Sequence, residues 1–155
     1  PAQLYNQGFI TNLASTMKLL NRTLSLFALP LLFVGCEKAI ENQGEDLVLQ
    51  AMTNGQWKVT SFTHNGNNVT SDFSTYRFKY HKNKTVDAIK NGTVEQTGQW
   101  DGNATTQTTW ANFTGATHPL SLVNGTWNIV NNSWTYVTAC QNIGRETKLM
   151  RLDKE

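Results

Sequence analysis

The sequence lacks an apolar run long enough to cross a membrane. Its longest apolar stretch lies between Arg22 and Glu37, whereas a membrane-spanning helix needs about 20 predominantly apolar residues. Pro30 inside this stretch removes a backbone donor and would kink a buried core helix. The sequence near Cys36 also lacks the Ala-x-Ala-like site of ordinary secretory signals. These absences argue against a membrane span, a core helix and a standard signal.

Residues 17–36 have the three parts of a bacterial lipoprotein signal peptide. A basic head containing Lys18 and Arg22 precedes the apolar run, and Gly35 stands directly before Cys36. This order is similar to that of signals whose cysteine thiol receives diacylglycerol. We therefore predict cleavage before Cys36 and attachment of diacylglycerol and palmitate to it. The protein would be anchored by lipid in the outer membrane, on the periplasmic or the cell-surface face.

Cysteine is scarce, with two residues in the chain. Once Cys36 carries lipid, Cys140 is the remaining thiol and an intrachain disulfide is impossible. Stability must then come from a hydrophobic core. We expect Cys140 to be a small buried apolar residue, with intermolecular pairing as the alternative.

The mature sequence has no net charge. Removal of Lys18 and Arg22 reduces the 13 basic residues to 11, which balance the 11 acidic ones. Composition therefore gives no basis for binding nucleic acid. Five basic residues still cluster in one segment: Arg77, Lys79, Lys82, Lys84 and Lys90. We interpret this cluster as a solvated hairpin, and contact with anionic lipid or glycan is the alternative.

The sequence has no recognisable catalytic or metal-binding motif. His64, His81 and His118 lie in different segments without metal-ligand spacing, and neither His-Glu-x-x-His nor Gly-x-Ser-x-Gly occurs. A glycosidase-type pair of carboxylates stays open, because spatial separation decides it. No nucleophile, base and orienting group can be named together. We predict a protein that is not an enzyme, with no catalytic residues, no metal ligands and no cofactor.

The chain divides into four predicted segments. Residues 1–16 precede Met17 and are interpreted as an over-extended reading frame, and residues 17–35 form the signal peptide. Residues 36–50 are polar and are interpreted as a lipidated tether that need not be ordered. Residues 51–155 have the size of one domain.

The domain has the sequence pattern of β-hairpins. No window shows a sustained helical period, and Asn-Gly or Asp-Gly pairs recur at short intervals. Segments rich in β-formers between these turns predict strands over residues 56–63, 74–81, 85–90, 93–100, 106–113, 120–123, 126–130, 133–140 and 146–152. We predict an all-β fold, an antiparallel meander of about eight strands that closes into a small barrel or a flattened sandwich.

The tripeptide Gly-x-Trp recurs in this domain. It pairs Gly55 with Trp57, Gly98 with Trp100, and Gly125 with Trp127. Glycine allows the backbone to bend or approach closely, and an indole can plug the apolar end of a barrel. We therefore expect these six residues to form barrel-end motifs.

These segments resemble the lipocalin-like domain of Bacteroidota lipoproteins. The resemblance rests on residues 57–62, 67–71, 73–80, 93–100 and 124–130. It implies a small lipocalin-like barrel in which Gly55 and Trp57 lie at the closed end. It also implies a basic residue that packs over this indole, and Arg145 or Arg151 are the candidates.

Two functions follow as expectations. The resemblance implies binding of a small hydrophobic ligand, although a short barrel can fill its interior with its own side chains. Alternatively, Trp110 and Trp134, which lie outside the Gly-x-Trp set, form a glycan-stacking surface, with core or barrel-end positions as the competing interpretation. A further alternative is that the protein is an envelope structural or interaction module. We expect a monomer that contacts the membrane through Cys36.

Overall fold

The computed structural model of the protein describes residues 44–155. This part of the chain contains one α-helix, α1, over residues 44–53, followed by nine strands. The strands are β1 (Trp57–His64), β2 (Asn67–Asn68), β3 (Tyr76–Tyr80), β4 (Thr85–Lys90), β5 (Thr93–Asn103), β6 (Thr108–Asn112), β7 (Gly125–Asn132), β8 (Tyr136–Ile143) and β9 (Glu146–Lys154). The predictions for residues 1–43, which include the reading frame, the signal peptide and the lipidation of Cys36, lie outside the described residues.

Eight of the strands form a closed antiparallel barrel. They follow one another as β1, β3, β4, β5, β6, β7, β8 and β9, and β9 pairs back onto β1. This closing seam runs from Trp57 opposite Lys154 to His64 opposite Lys148. The short strand β2 is not one of the eight barrel strands and pairs antiparallel with the last two residues of β1. Closure pairs the edges that an open sheet would expose, and the prediction of an eight-stranded meander closing into a barrel is confirmed.

Side chains alternate between the barrel interior and the outer surface. On β3, Tyr76, Phe78 and Tyr80 are buried, whereas Arg77 and Lys79 between them are partly exposed. This alternation follows from the period of two along a strand. The largest fully buried side chains of the core are Trp57, Trp100, Trp127, Phe62, Phe73, Phe78, Phe113 and Val86.

One end of the barrel, here called the plugged end, is closed by two short 3₁₀ helices. They span Thr70–Phe73 and Leu120–Val123. The ring of Phe73 stacks on that of Phe62 with 5.0 Å between the ring centroids. The interior at this end is therefore filled by the protein's own side chains.

The prediction of a strand over residues 120–123 is wrong. Leu120 and Val123 are both buried and lie three residues apart, the spacing that a 3₁₀ helix places on one face. A four-residue segment with three apolar residues has no period that distinguishes a strand from a helical turn. The preceding loop contains Pro119, which lacks the N–H that a strand ladder uses.

The opposite end, here called the helix end, is covered by α1. Val48, Leu49 and Met52 pack against the core. The prediction of a tether over residues 36–50 is therefore corrected for residues 44–50, which are helical. The large apolar residues of α1 lie between Leu47 and Met52, within fewer than two turns, which is too short a window for periodicity to stand out. Within residues 44–155, no helix has the length and apolar content needed to cross a membrane.

Cys140 lies on the outer surface of β8 and is partly exposed. Its neighbours Ala139 and Gln141 are buried, so alternation along the strand turns Cys140 outward. The expectation of a buried apolar cysteine is wrong. The sequence pattern around this residue contains no clear alternation of polar and apolar types that would have revealed its side.

Candidate functional site

The three Gly-x-Trp indoles are structural anchors of the barrel. Trp57, Trp100 and Trp127 are each at most 1% exposed. Every indole N–H donates to a backbone carbonyl, which satisfies its only polar atom. The acceptors are, in the same order, the carbonyl oxygens of Met52, His81 and Val123, at 2.8, 3.2 and 2.8 Å. Trp57 and Trp100 lie towards the helix end, and Trp127 bonds to the 3₁₀ helix of the plugged end.

Two of the motif glycines allow a close approach between strands. A Cβ atom on Gly98 would lie 2.6 Å from the carbonyl oxygen of Asn112 and 2.7 Å from Cδ1 of Phe113. Gly125 has a φ of +107° and would place a Cβ against the amide of Gln141. A residue larger than glycine at position 98 would displace the neighbouring strand or the Phe113 ring. At position 125 it would strain the backbone at positive φ, so glycine is required at both positions.

The basic residue over Trp57 is Lys154. Its Nζ lies 5.0 Å from the centroid of the indole. The expectation of Arg145 or Arg151 is wrong, because Arg151 covers the ring of Tyr136 at 4.2 Å and Arg145 lies in the turn between β8 and β9. Alternation along β9 places Arg151 on the outer face of the barrel, whereas Lys154 lies two residues after the buried Leu152 and therefore on the same inner face.

Side-chain donors from the barrel hold the last carbonyls of α1. Lys154 Nζ donates to the carbonyl of Ala51 at 2.9 Å, and Lys79 Nζ donates to that of Thr53 at 3.2 Å. The Trp57 indole binds the carbonyl between them, as described above. These carbonyls have no partner within a helix, and cations are favourable at this end of the helix dipole. Burial lowers the pKa of Lys154. The C-terminal end of α1 is therefore fixed to the barrel.

A cavity of about 240 Å³ opens at the helix end, between α1 and the barrel wall. One side is the apolar face of α1, made of Leu47, Val48, Ala51 and Met52. The barrel side includes the three indoles together with Ala139, Met150 and Leu152. These surroundings are predominantly apolar, as in most small-molecule sites.

Polar groups in the cavity wall are few and uncharged. The polar residues are Asn103, Thr108, Thr109, Asn132 and Ser133, and they come from the strand ends and turns of the helix end. Among the described residues, no Asp, Glu, Lys, Arg or His lines the cavity. An ionised group inside would lose its hydration without an ionic partner, which is strongly unfavourable.

Tyr80 also lines the cavity and is 6% exposed. Its ring meets that of Trp100 edge to face, with centroids 5.0 Å apart. Burial raises the pKa of Tyr80, and within residues 44–155 no hydrogen bond contributes to this shift. Sequence analysis did not single out this residue, although the alternation in β3 placed it on the apolar face.

Trp110 and Trp134 both contribute to the cavity wall and remain partly exposed. Trp110 on β6 is 38% exposed, and Trp134 in the turn between β7 and β8 is 55% exposed. Neither belongs to the core. The two candidates for glycan stacking therefore lie at the rim of the same cavity.

The structure does not bring the three histidines together. His64, His81 and His118 each contact a different carboxylate. These partners are Glu146, Asp87 and Asp72, at 2.8, 2.8 and 2.9 Å. In the part of the chain that the structure describes, no three His, Cys, Asp or Glu residues are placed to hold a metal ion.

Several residues of the basic cluster pair with carboxylates. Arg77 pairs with Glu155, and Lys84 pairs with Asp101 while lying over the Trp100 ring. Lys90 pairs with Glu95 at 3.1 Å. This pairing neutralises much of the cluster and favours its interpretation as a solvated surface.

The fold and the cavity define a closed antiparallel β barrel with an apolar cavity under a single helix. No protein-family model matches the chain, and no curated protein matches it. A solved structure of a DUF4847 family protein from Bacteroides vulgatus is similar to it, with a TM-score of 0.49 and 13% sequence identity. The match covers 70% of this chain and 97% of the other. We draw nothing about function from a similarity at this level.

Proposed function

We propose that this domain binds a small apolar ligand in the cavity at the helix end. The observation that carries the proposal is a cavity of about 240 Å³ whose wall is apolar and contains no charged residue within residues 44–155. Burial of apolar ligand surface would drive binding. The shape of the barrel alone would not support this function, since one fold hosts many functions.

The cavity volume limits the size of the ligand. An engineered cavity of about 150 Å³ holds benzene, which has six carbons. On the same scale, the cavity of 240 Å³ holds about ten non-hydrogen atoms. A bicyclic aromatic compound fits this limit, whereas only part of a long fatty acid would be enclosed.

Titration with naphthalene tests the proposal. We expect saturable binding with one site per chain and a change in tryptophan fluorescence, because five indoles line the cavity. Ala139→Leu places new carbons in the cavity and should abolish binding, whereas Ala116→Leu alters a residue outside the wall and should not. A linear, unsaturable signal, or equal binding by both variants, would contradict the proposal.

We also propose that Cys36 anchors the protein to the outer membrane through lipid. Support comes from the order of basic head, apolar run, Gly35 and Cys36 in the sequence. Stable anchoring takes more than one acyl chain, so the cysteine would be multiply acylated. Metabolic labelling with a palmitate analogue should mark the protein and disappear in Cys36→Ala. Label that persists in the variant would refute lipidation at this residue.

A second candidate function is glycan binding at the cavity rim. It is favoured by the exposure of Trp110 and Trp134, at 38% and 55%, because an exposed ring can stack on the apolar face of a sugar. A glycan array probed with the protein and with Trp134→Ala tests it. Binding that is lost in the variant while its fold is retained would support glycan recognition, and an array without signal would refute it.

A further inference from the structure

Tyr80 holds a distinct position in the cavity wall. It is the last residue of β3 and shares the inner face of that strand with Tyr76 and Phe78. Its side chain is 94% buried, since only 6% is exposed, and its ring packs against Trp100. The side chain thus lies at the helix end and lines the cavity there.

The two buried tyrosines of β3 differ in how their hydroxyls are satisfied. The Tyr76 hydroxyl donates to the carboxylate of Glu95. The Tyr80 hydroxyl has no hydrogen-bond partner within residues 44–155. Tyr80 lines the cavity, so the cavity is the space in which a ligand atom can meet its side chain.

The charges around the cavity indicate that its occupant is neutral. Lys84 and Lys154 lie over the indoles of Trp100 and Trp57 and are not part of the wall. Lys84 is already paired with Asp101, and Lys154 with a carbonyl of α1. A carboxylate in the cavity would lack a direct ionic partner among the described wall residues.

We infer that the ligand carries one uncharged oxygen, as a hydroxyl or a carbonyl, which hydrogen-bonds to the hydroxyl of Tyr80. This inference rests on the proposed function and assigns the specificity of the same cavity to one residue. The ligand class is a compact neutral molecule of about ten non-hydrogen atoms with a single polar group. A site with a buried polar group discriminates against analogues that leave this group unpaired.

The test compares three bicyclic probes on the purified full-length chain and on Tyr80→Phe. The probes are naphthalene, 2-naphthol and 2-naphthoate, which share a ring system and differ in polarity and charge. We expect Tyr80→Phe to weaken 2-naphthol binding by roughly tenfold and to change naphthalene binding less than about twofold. The carboxylate should bind most weakly to both proteins, because its desolvation is not compensated.

Tyr76→Phe is the matched control. It removes a buried hydroxyl from the same strand, and Tyr76 does not line the cavity. We expect it to leave the affinities for all three probes unchanged. Tyr80→Phe should also keep the wild-type melting temperature, since it breaks no hydrogen bond described in the fold, and this checks that the variant is folded.

The outcomes separate the inference from the proposed function. Saturable binding of naphthalene and 2-naphthol that Tyr80→Phe changes equally would overturn the role of Tyr80 and leave the ligand site standing. Tightest binding of 2-naphthoate would overturn the preference for neutral ligands. Absence of saturable binding by any probe would overturn the inference and the proposed function together.

Discussion

Replacement of Ala139 by leucine should stabilise the barrel while it reduces the volume of the cavity. Ala139 is 2% exposed and lines the cavity from β8. Leucine adds three carbons, which on the scale of benzene in its 150 Å³ cavity need about 75 Å³. The available volume is about 240 Å³, so the new side chain has room.

The expected gain follows from the area removed from water. Each buried CH₂ contributes about 0.8 kcal/mol, so three added carbons contribute at most about 2.4 kcal/mol to the free energy of unfolding. Ala88 provides the matched comparison, because it is 0% exposed and does not line the cavity. Leucine at this position overpacks the core, which typically costs about 1–3 kcal/mol.

Urea denaturation followed by tryptophan fluorescence measures both changes. The midpoint should rise for Ala139→Leu and fall for Ala88→Leu, with similar m-values, so that the shifts report stability. If the two variants lose stability to the same extent, the cavity is not usable space. The reasoning about volume, and the ligand size derived from it, would then be refuted.

Three further predictions concern the scaffold. Gly98→Ala should lower the free energy of unfolding by about 1–3 kcal/mol, because the new Cβ would press against the Phe113 ring. Thermal unfolding measures this loss, and an unchanged melting temperature would contradict the close approach. Lys154→Met should lower the free energy of unfolding by about 1–2 kcal/mol and expose α1 to proteolysis, because it removes a cation at the helix C-terminus and over Trp57. Protease resistance equal to that of the wild type would contradict this prediction. The Arg151 hydrogen bonds lower the pKa of Asp153 in the folded protein. Asp153 therefore stabilises the fold fully above its unfolded-state pKa of about 3.9, and this stabilisation is lost as the pH falls through its folded-state pKa. Acid titration of stability should therefore be shallower below about pH 4 in Asp153→Asn, and an identical profile would refute the contribution.

The barrel was predictable from the sequence because its strands are short, alternating and separated by turns. The predicted bounds of β4, Thr85 and Lys90, match the structure. The chain turns on both sides of it through residues at positive φ, Lys84 before the strand and Asn91 and Gly92 after it. The prediction of a strand over residues 120–123 was wrong because a segment of four residues, three of them apolar, is too short to show a period. α1 was missed because its apolar face is short and follows a polar segment.

The site was less predictable because it depends on contacts between distant residues. The pattern of β3 placed Tyr80 inside, but whether its hydroxyl has a partner depends on residues that only the fold brings near. Similarly, the sequence left Arg145 and Arg151 as candidates for the basic residue over Trp57. Only the alternation of inward and outward side chains along β9 places Lys154 on the inner face. The volume of the cavity is the volume enclosed by the barrel minus that of the side chains that fill it. No local sequence pattern predicts this difference.

The seam between β1 and β9 constrains when the barrel can form during synthesis. β1 emerges from the ribosome first among the barrel strands and must wait for β9, the last, to pair with it. Until Lys154 is made, the Trp57 indole and the end of α1 lack the residue that covers them. Such a long loop between partners slows folding, and the unpaired edges of β1 and β8 stay open to other chains in the meantime. The barrel should therefore fold only after its last strand is complete, and a chain cut short by a few residues should lose its helix, its closure and its cavity together.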